Sequence, residues 1–157
     1  MDDRLIEPYI NSTRAIIKDM TGMEITEVSR AGTEDNEFVS YGVSSAITFS
    51  GKIKGRFVID MTPDLAREMI FNMTGEKMDN VRDRLFLAGV SEMNNIIAGD
   101  ANTFLNNHYS LSLRLAPPIV YTGKNITVAT SRTESVTVEC GTALGNFKLN
   151  IAFQGGV

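Results

Sequence analysis

The chain has 157 residues, 43% of them hydrophobic and 22% charged, a formal net charge of −4 and a single cysteine. A chain of this length buries roughly 70% of its unfolded surface with no need of a disulfide or metal, and a lone Cys140 excludes an internal disulfide and suits a reducing compartment. The acidic balance offers no basic patch for a nucleic-acid backbone, and the start MDDRLIEPYI is no signal peptide.

The predicted elements follow in chain order. Residues 3–20 read as a helix, with Leu5, Ile6, Ile10, Ile16, Ile17 and Met20 at near-helical spacing, Pro8 in or near the first turn and Gly22 past the end. Residues 37–60 read as strands: Ser45-Ala46-Ile47-Thr48-Phe49 alternates, Phe57-Val58-Ile59 is a short apolar run, and Ser50-Gly51 and Gly55 mark turns. Thr62-Pro63-Asp64 opens a helix that Thr74-Gly75 closes: Thr62 caps free N–H groups, Pro63 fits the first helical position and Asp64 suits the positive end. A longer helix is predicted from about Asn80 to Asn107, with an apolar stripe of Phe86, Val90, Met93, Ile97, Ala101 and Phe104. Beyond Pro117-Pro118 the alternation of Val136, Val138 and Cys140, and then of Phe147, Leu149, Ile151 and Phe153, predicts two strands joined by a tight hairpin at Gly145-Asn146.

Hairpin-connected strands imply an antiparallel sheet, and the helices between them imply one covered face. The expected fold is therefore α+β, in a single domain spanning 1–157. Each half reads as a helix followed by strands with a glycine-marked hairpin, which hints at an internal duplication. No run of eighteen apolar residues is present, so no membrane span is expected and the protein is placed in the cytoplasm.

Most routes to chemistry lack their residues. His108 and Cys140 are the only histidine and cysteine and lie far apart, so no metal set or cofactor of the chain's own is expected. His108 suits a helix end, where imidazole meets the negative dipole. Cys140 on the apolar side of a strand reads as an inert thiol. No G-x-S-x-G elbow occurs, and Gly51-x-x-x-Gly55 lacks the ending of a phosphate loop. The pair that remains is Glu92 and Asn95, an acid and an amide three residues apart on one side of a helix. With ten Glu and twelve Asn in the chain, about one Glu-x-x-Asn is expected by chance, so spacing alone decides nothing.

The setting of the pair says more. At 100° per residue, Glu92 and Asn95 fall opposite the apolar stripe, with Ala88 and Gly99 one turn before and after, whereas Asn94 points nearer the core. Gly99 in a helix costs about 1 kcal/mol relative to alanine, and close approach by another protein is one compensation. Leu85 and Ile96 border the face with apolar area for a partner. The alternative is an ordinary solvated polar stripe.

The run Ser91-Glu92-Met93-Asn94-Asn95-Ile96-Ile97-Ala98-Gly99 resembles the signature of the CheC/CheX/FliY phosphatases of bacterial chemotaxis. That signature is Glu-x-x-Asn with a proline after twenty-two further residues, and here that position is Pro118. The hairpin of residues 51–61 leading into Thr62-Pro63 and the hairpin at Gly145 are also similar, so the resemblance covers nearly the whole chain. CheC-type members carry a second acid–amide motif on the first helix; here Glu7 is followed three residues later by Ile10, so the single site is most like CheX. The family usually has Ser or Asp where this chain has Ala88.

The resemblance implies a CheC-like fold, a homodimer, and a phosphatase acting on the aspartyl phosphate of a CheY-like receiver domain. It implies that Asn95 positions the attacking water and that Glu92 docks to the receiver's lysine. Ala88, Ile96 and Gly99 then lie in the docking surface, and Pro118 shapes the chain beside the helix. The Mg²⁺ of the reaction is expected on the receiver. An open edge among the C-terminal strands is a plausible cause of dimerisation. Two other readings compete: a non-catalytic adaptor of the same fold that binds a receiver or flagellar-switch component, towards which Ala88 leans, and a small-molecule enzyme, which needs a ligand cavity.

Overall fold

The computed structural model describes residues 2–32, 37–129 and 134–157. Helix α1 spans Asp3–Thr21. The Asp2 carboxylate accepts from the Arg4 N–H at 3.0 Å to cap it, and Gly22, at φ 73°, ends it with its N–H on the Lys18 carbonyl. Pro8 sits in the second turn and not the first, so the Arg4 carbonyl loses its intrahelical donor. Strands β1 (Glu27–Gly32), β2 (Glu37–Val39), β3 (Val43–Ser50) and β4 (Lys54–Met61) precede helix α2 (Pro63–Thr74). Thr62 caps α2 as its sequence predicts, accepting from the Leu65 N–H, and Gly75 closes it at φ 74°. Helix α3 (Arg84–Tyr109) leads into β5 (Arg114–Leu115), β6 (Ile119–Thr122), β7 (Thr127–Ala129), β8 (Ser135–Thr142) and β9 (Gly145–Gln154).

All strand pairs are antiparallel, in the order β1-β8-β9-β4-β3-β5, with β6 also on β3 and with β2 and β7 forming a separate pair. This is the α+β fold expected from the sequence, and its pairing makes the duplication visible. Each half supplies a long helix, a single strand, a short strand and a hairpin: α1, β1, β2 and β3-β4 in the first; α3, β6, β7 and β8-β9 in the second. The single strand of each half pairs with the hairpin of the other, β1 on β8 and β6 on β3. The central pair β4-β9 and the small pair β2-β7 join like elements. Helix α2 connects the halves.

The helices cover one face of the sheet. Leu5, Ile6, Tyr9 and Ile17 of α1 and Phe86, Val90, Met93 and Ile97 of α3 are buried with Ile47, Phe57, Ile59, Phe147, Leu149 and Ile151 of the strands. The other face carries a smaller cluster around Val58, which packs with Ala46 and Ile126. Beside it Asp60 is buried, accepting from Ser40 Oγ at 2.7 Å, from the Tyr41 N–H at 2.8 Å and from Ser44 Oγ. Lys148 Nζ lies 3.7 Å from the same carboxylate. Burial raises the Asp60 pKa, and these donors oppose the rise. The β9 residues that alternate with the core, Lys148 and Asn150, are thus buried on the far face.

Several sequence expectations are corrected. Helix α3 starts at Arg84, a turn later than predicted: Asn80 Oδ1 accepts from the Arg82 N–H at 3.0 Å in a local turn, and Asp83 is the cap. Its inner stripe ends in Leu105, while Phe104 is exposed and stacks on His108 with ring centres 3.9 Å apart. The β8-β9 turn is Ala143-Leu144, because Thr142 already pairs with Gly145. Gly55 lies within β4 opposite Phe49, where a Cβ would sit 2.4 Å from the Phe49 ring, so the glycine makes room for an aromatic. The strands β8 and β9 leave no open edge, being each paired on both sides, and among the described residues the edges of the large sheet are β1 and β5/β6. Exposed Ile119 and Tyr121 lie on β6.

Candidate functional site

Helix α3 is fixed at both ends. The Asp83 carboxylate accepts from the Leu85 N–H at 2.9 Å. Past the C-terminus, Ser110 adopts φ 53°, and Asn106 both accepts from the Leu113 N–H (2.7 Å) and donates to the Leu113 carbonyl (3.1 Å). His108 stands in the last turn with Nδ1 3.0 Å from the Phe104 carbonyl, a helix-end role as its sequence position suggests. Burial pushes the Cys140 thiol up to about 12, which keeps it protonated and unreactive.

Between these ends the helix divides cleanly. Phe86, Val90, Met93, Asn94, Ile97 and Ala101 are buried. Leu85, Ala88, Glu92 and Asn95 are exposed, and Ser91, Ile96 and Gly99 are half-buried beside them. Leu85 is 65% exposed, a large apolar side chain left in water at the rim of the face. The side chains of Glu92 and Asn95 make no hydrogen bond or ion pair among the described residues. One carboxylate and one carboxamide therefore face outward, a turn apart, with their hydrogen-bonding capacity unspent.

The two glycines of this helix differ in purpose. A Cβ at Gly89 would meet Ile70 Cδ1 at 2.7 Å, so Gly89 allows α2 to pack closely. A Cβ at Gly99 would meet only Leu115 Cδ1, at an ordinary 3.8 Å. No contact among the described residues requires a glycine at 99. Leu115 also places the chain that leads to Pro118 beside this end of the face, and Ala116 is held to β3 by its N–H on the Thr48 carbonyl at 2.8 Å. Pro118 itself is half-buried between β5 and β6.

Sequence reasoning turned Asn94 inward without giving it a partner. Its Nδ2 donates to the Ser45 carbonyl at 3.0 Å and to Ser45 Oγ at 2.9 Å, and no part of the residue is exposed. The doubled Asn94-Asn95 was the available signal: two adjacent amides on a helix must face different environments.

No group of three or more His, Cys, Asp or Glu side chains placed to hold a metal occurs among the described residues. Two open hollows, of about 750 Å³ beside Lys54, Arg56 and Arg114 and of about 700 Å³ between α1 and the end of α3, are lined by neither Glu92 nor Asn95. The pair stands on an outward face, a shape that suits a protein substrate better than a small molecule. No described helix is long and apolar enough to cross a membrane.

The family model described as chemotaxis phosphatase CheX matches residues 43–141, a stretch that contains Glu92, Asn95 and Pro118. No curated protein matches the chain. Among solved structures, a CheC-like superfamily protein from Shewanella sp. PV-4 is 28% identical, with 99% of this chain and 100% of that one aligned and a TM-score of 0.88. The chemotaxis protein CheX of Vibrio vulnificus is 23% identical over 96% of this chain and 99% of its own, with a TM-score of 0.86. A CheX from Borrelia burgdorferi, solved in complex with CheY, BeF3 and Mg²⁺, is 24% identical over 96% and 97%, with a TM-score of 0.79. With the family model covering 99 of the 157 residues, the chain belongs to the CheX family of chemotaxis phosphatases.

Proposed function

We propose that this protein hydrolyses the aspartyl phosphate of a CheY-like receiver domain, with Asn95 aligning the attacking water and Glu92 holding the receiver. The observation that carries the reading is the outward pair on α3, exposed and without partners among the described residues, beside a glycine that no contact among them requires. The Borrelia complex with CheY supports the choice of partner.

The chemistry asks little of the chain. An acyl phosphate is already activated, and the receiver brings the Mg²⁺ that neutralises charge on the phosphoryl oxygens. Hydrolysis needs a water in line with the bond that breaks. A carboxamide accepts a hydrogen bond from that water through its oxygen and donates from its nitrogen to a phosphoryl oxygen, which fixes the water by geometry alone. Water oxygen then bonds to phosphorus, the P–O bond to the receiver aspartate breaks, and the aspartate leaves as a carboxylate. Glu92 pairs with the receiver's active-site lysine, an interaction of two ionised groups that docks the helix and draws the lysine off the phosphate. Ala88, Ile96 and Gly99 form the docking floor, and Pro118 shapes the chain alongside it.

The whole of residues 1–157 works as one CheX-type domain in the cytoplasm, paired as a homodimer through an open sheet edge. Strand β6 suits that edge because no other strand among the described residues pairs with its outer side and Ile119 and Tyr121 are exposed. Light scattering should give twice the chain mass. Function is tested by adding the protein to a phosphorylated receiver and following phosphate loss. Accelerated loss is the expected result. Binding with an unchanged phosphate lifetime would favour the adaptor reading, to which Ala88 leans.

A further inference from the structure

We infer that Asn94 is a positioning residue: its buried hydrogen bonds to Ser45 set the local rotation of the α3 turn that carries Asn95 and so aim Asn95. This rests on the phosphatase reading and adds to it a residue that never meets the receiver.

The residue is placed where leverage is greatest. Asn94 directly precedes Asn95 and lies within the turn that separates it from Glu92. Its Nδ2 reaches both the carbonyl and the hydroxyl of Ser45, at 3.0 and 2.9 Å. Ser45 sits in the part of β3 held from both sides, opposite Ile59 of β4 and Val120 of β6. The anchor is thus a strand that cannot easily shift. It is also the strand on which the segment after Pro118 is laid, since Ile119 pairs with Ala46.

Apolar packing alone holds a helix loosely in rotation, because burial energy has no direction. Hydrogen bonds do have direction. A side-chain tip lies about 5–6 Å from the helix axis, so a rotation of about 10° moves the Asn95 amide by about 1 Å. Reactive groups work only when held within about 0.5 Å of their place. The cost of the arrangement is also visible: Asn94 Oδ1 has no partner among the described residues. An apolar side chain would avoid that unpaired acceptor but would take a donor from the buried Ser45 carbonyl and hydroxyl. A second buried contact, Tyr9 Oη donating to Asn102 Oδ1, ties α3 to α1 about two turns beyond the turn that carries Glu92 and Asn95.

The test compares wild type, Asn95→Ala, Asn94→Leu and Tyr9→Phe. Wild-type activity lost in Asn95→Ala secures the phosphatase reading on its own. Asn94→Leu, which takes this donor from the buried Ser45, is then expected to melt somewhat lower than wild type, as Tyr9→Phe also does, to stay folded at the assay temperature and to bind the receiver within about twofold. Its dephosphorylation rate at saturating protein should fall between about tenfold and a hundredfold, the range that a displacement near 1 Å produces. Tyr9→Phe, which loses a buried hydrogen bond away from the site, should keep its rate. A rate in Asn94→Leu equal to wild type, a loss that only follows weaker binding, or an equal loss of rate in Tyr9→Phe overturns the inference. A crystal structure of Asn94→Leu tests it without any activity measurement: rotation of α3 that displaces the Asn95 amide is expected, and a helix superposing on the wild type overturns it.

Discussion

Asn94 and Asn95 are neighbours in the chain and opposites in environment: one is fully buried with its amide on Ser45, the other is exposed with no side-chain partner among the described residues. The adjacency joins the core of the fold to its reactive surface through a single peptide unit.

Glu92 is expected to act in docking. Replacing it with alanine should leave the melting temperature nearly unchanged, since exposed substitutions of this kind stay within about 0.5 kcal/mol. Affinity for the phosphorylated receiver should drop about tenfold or more, as a charge-assisted pair is lost, and turnover should fall with it. Titration by fluorescence or calorimetry reads the affinity, and normal binding by Glu92→Ala would remove the docking role.

Gly99 sets stability against binding. Only Leu115 Cδ1, at 3.8 Å, would touch an added Cβ, so Gly99→Ala should gain about 0.5–1 kcal/mol from helix propensity. The melting temperature should rise by about 2–4 °C, while affinity for the receiver falls because the partner meets a methyl group. A stabilised variant with unchanged affinity would place Gly99 outside the interface.

Cys140 should be silent in the folded protein. With its thiol pushed up to about 12 by burial, almost none is thiolate near neutral pH, and the side chain is shielded as well. A thiol reagent at about pH 8 should label the chain only after denaturant is added, with one group per chain. Fast labelling of the native protein would contradict the packing described for β8.

Much of this was legible in the sequence. Period-two runs marked β3, β8 and β9, and Thr62-Pro63 with Gly75 bounded α2, because those patterns reflect burial and caps that act locally. The polar face of α3 was legible for the same reason: one helix has one buried side. Strand β1, Glu-Val-Ser-Arg-Ala-Gly, was missed because its few apolar residues give no period, and only β8 makes it a strand. The open edge was misplaced because edges are set by which strands meet, and here β1 crosses to the hairpin of the other half. Gly55 looked like a turn residue because what it accommodates, the Phe49 ring, sits across the strand pair. Asn94 could be turned inward from helical geometry, but Ser45 lies forty-nine positions away, and long-range polar contacts leave no local mark.

The measurement that bears most directly on the account is the phosphate lifetime of a receiver saturated with wild type or with Asn95→Ala, with binding measured in parallel. Wild type should shorten the lifetime, and Asn95→Ala should bind with little loss yet leave the lifetime at that of the receiver alone. Full acceleration by Asn95→Ala would contradict the central claim.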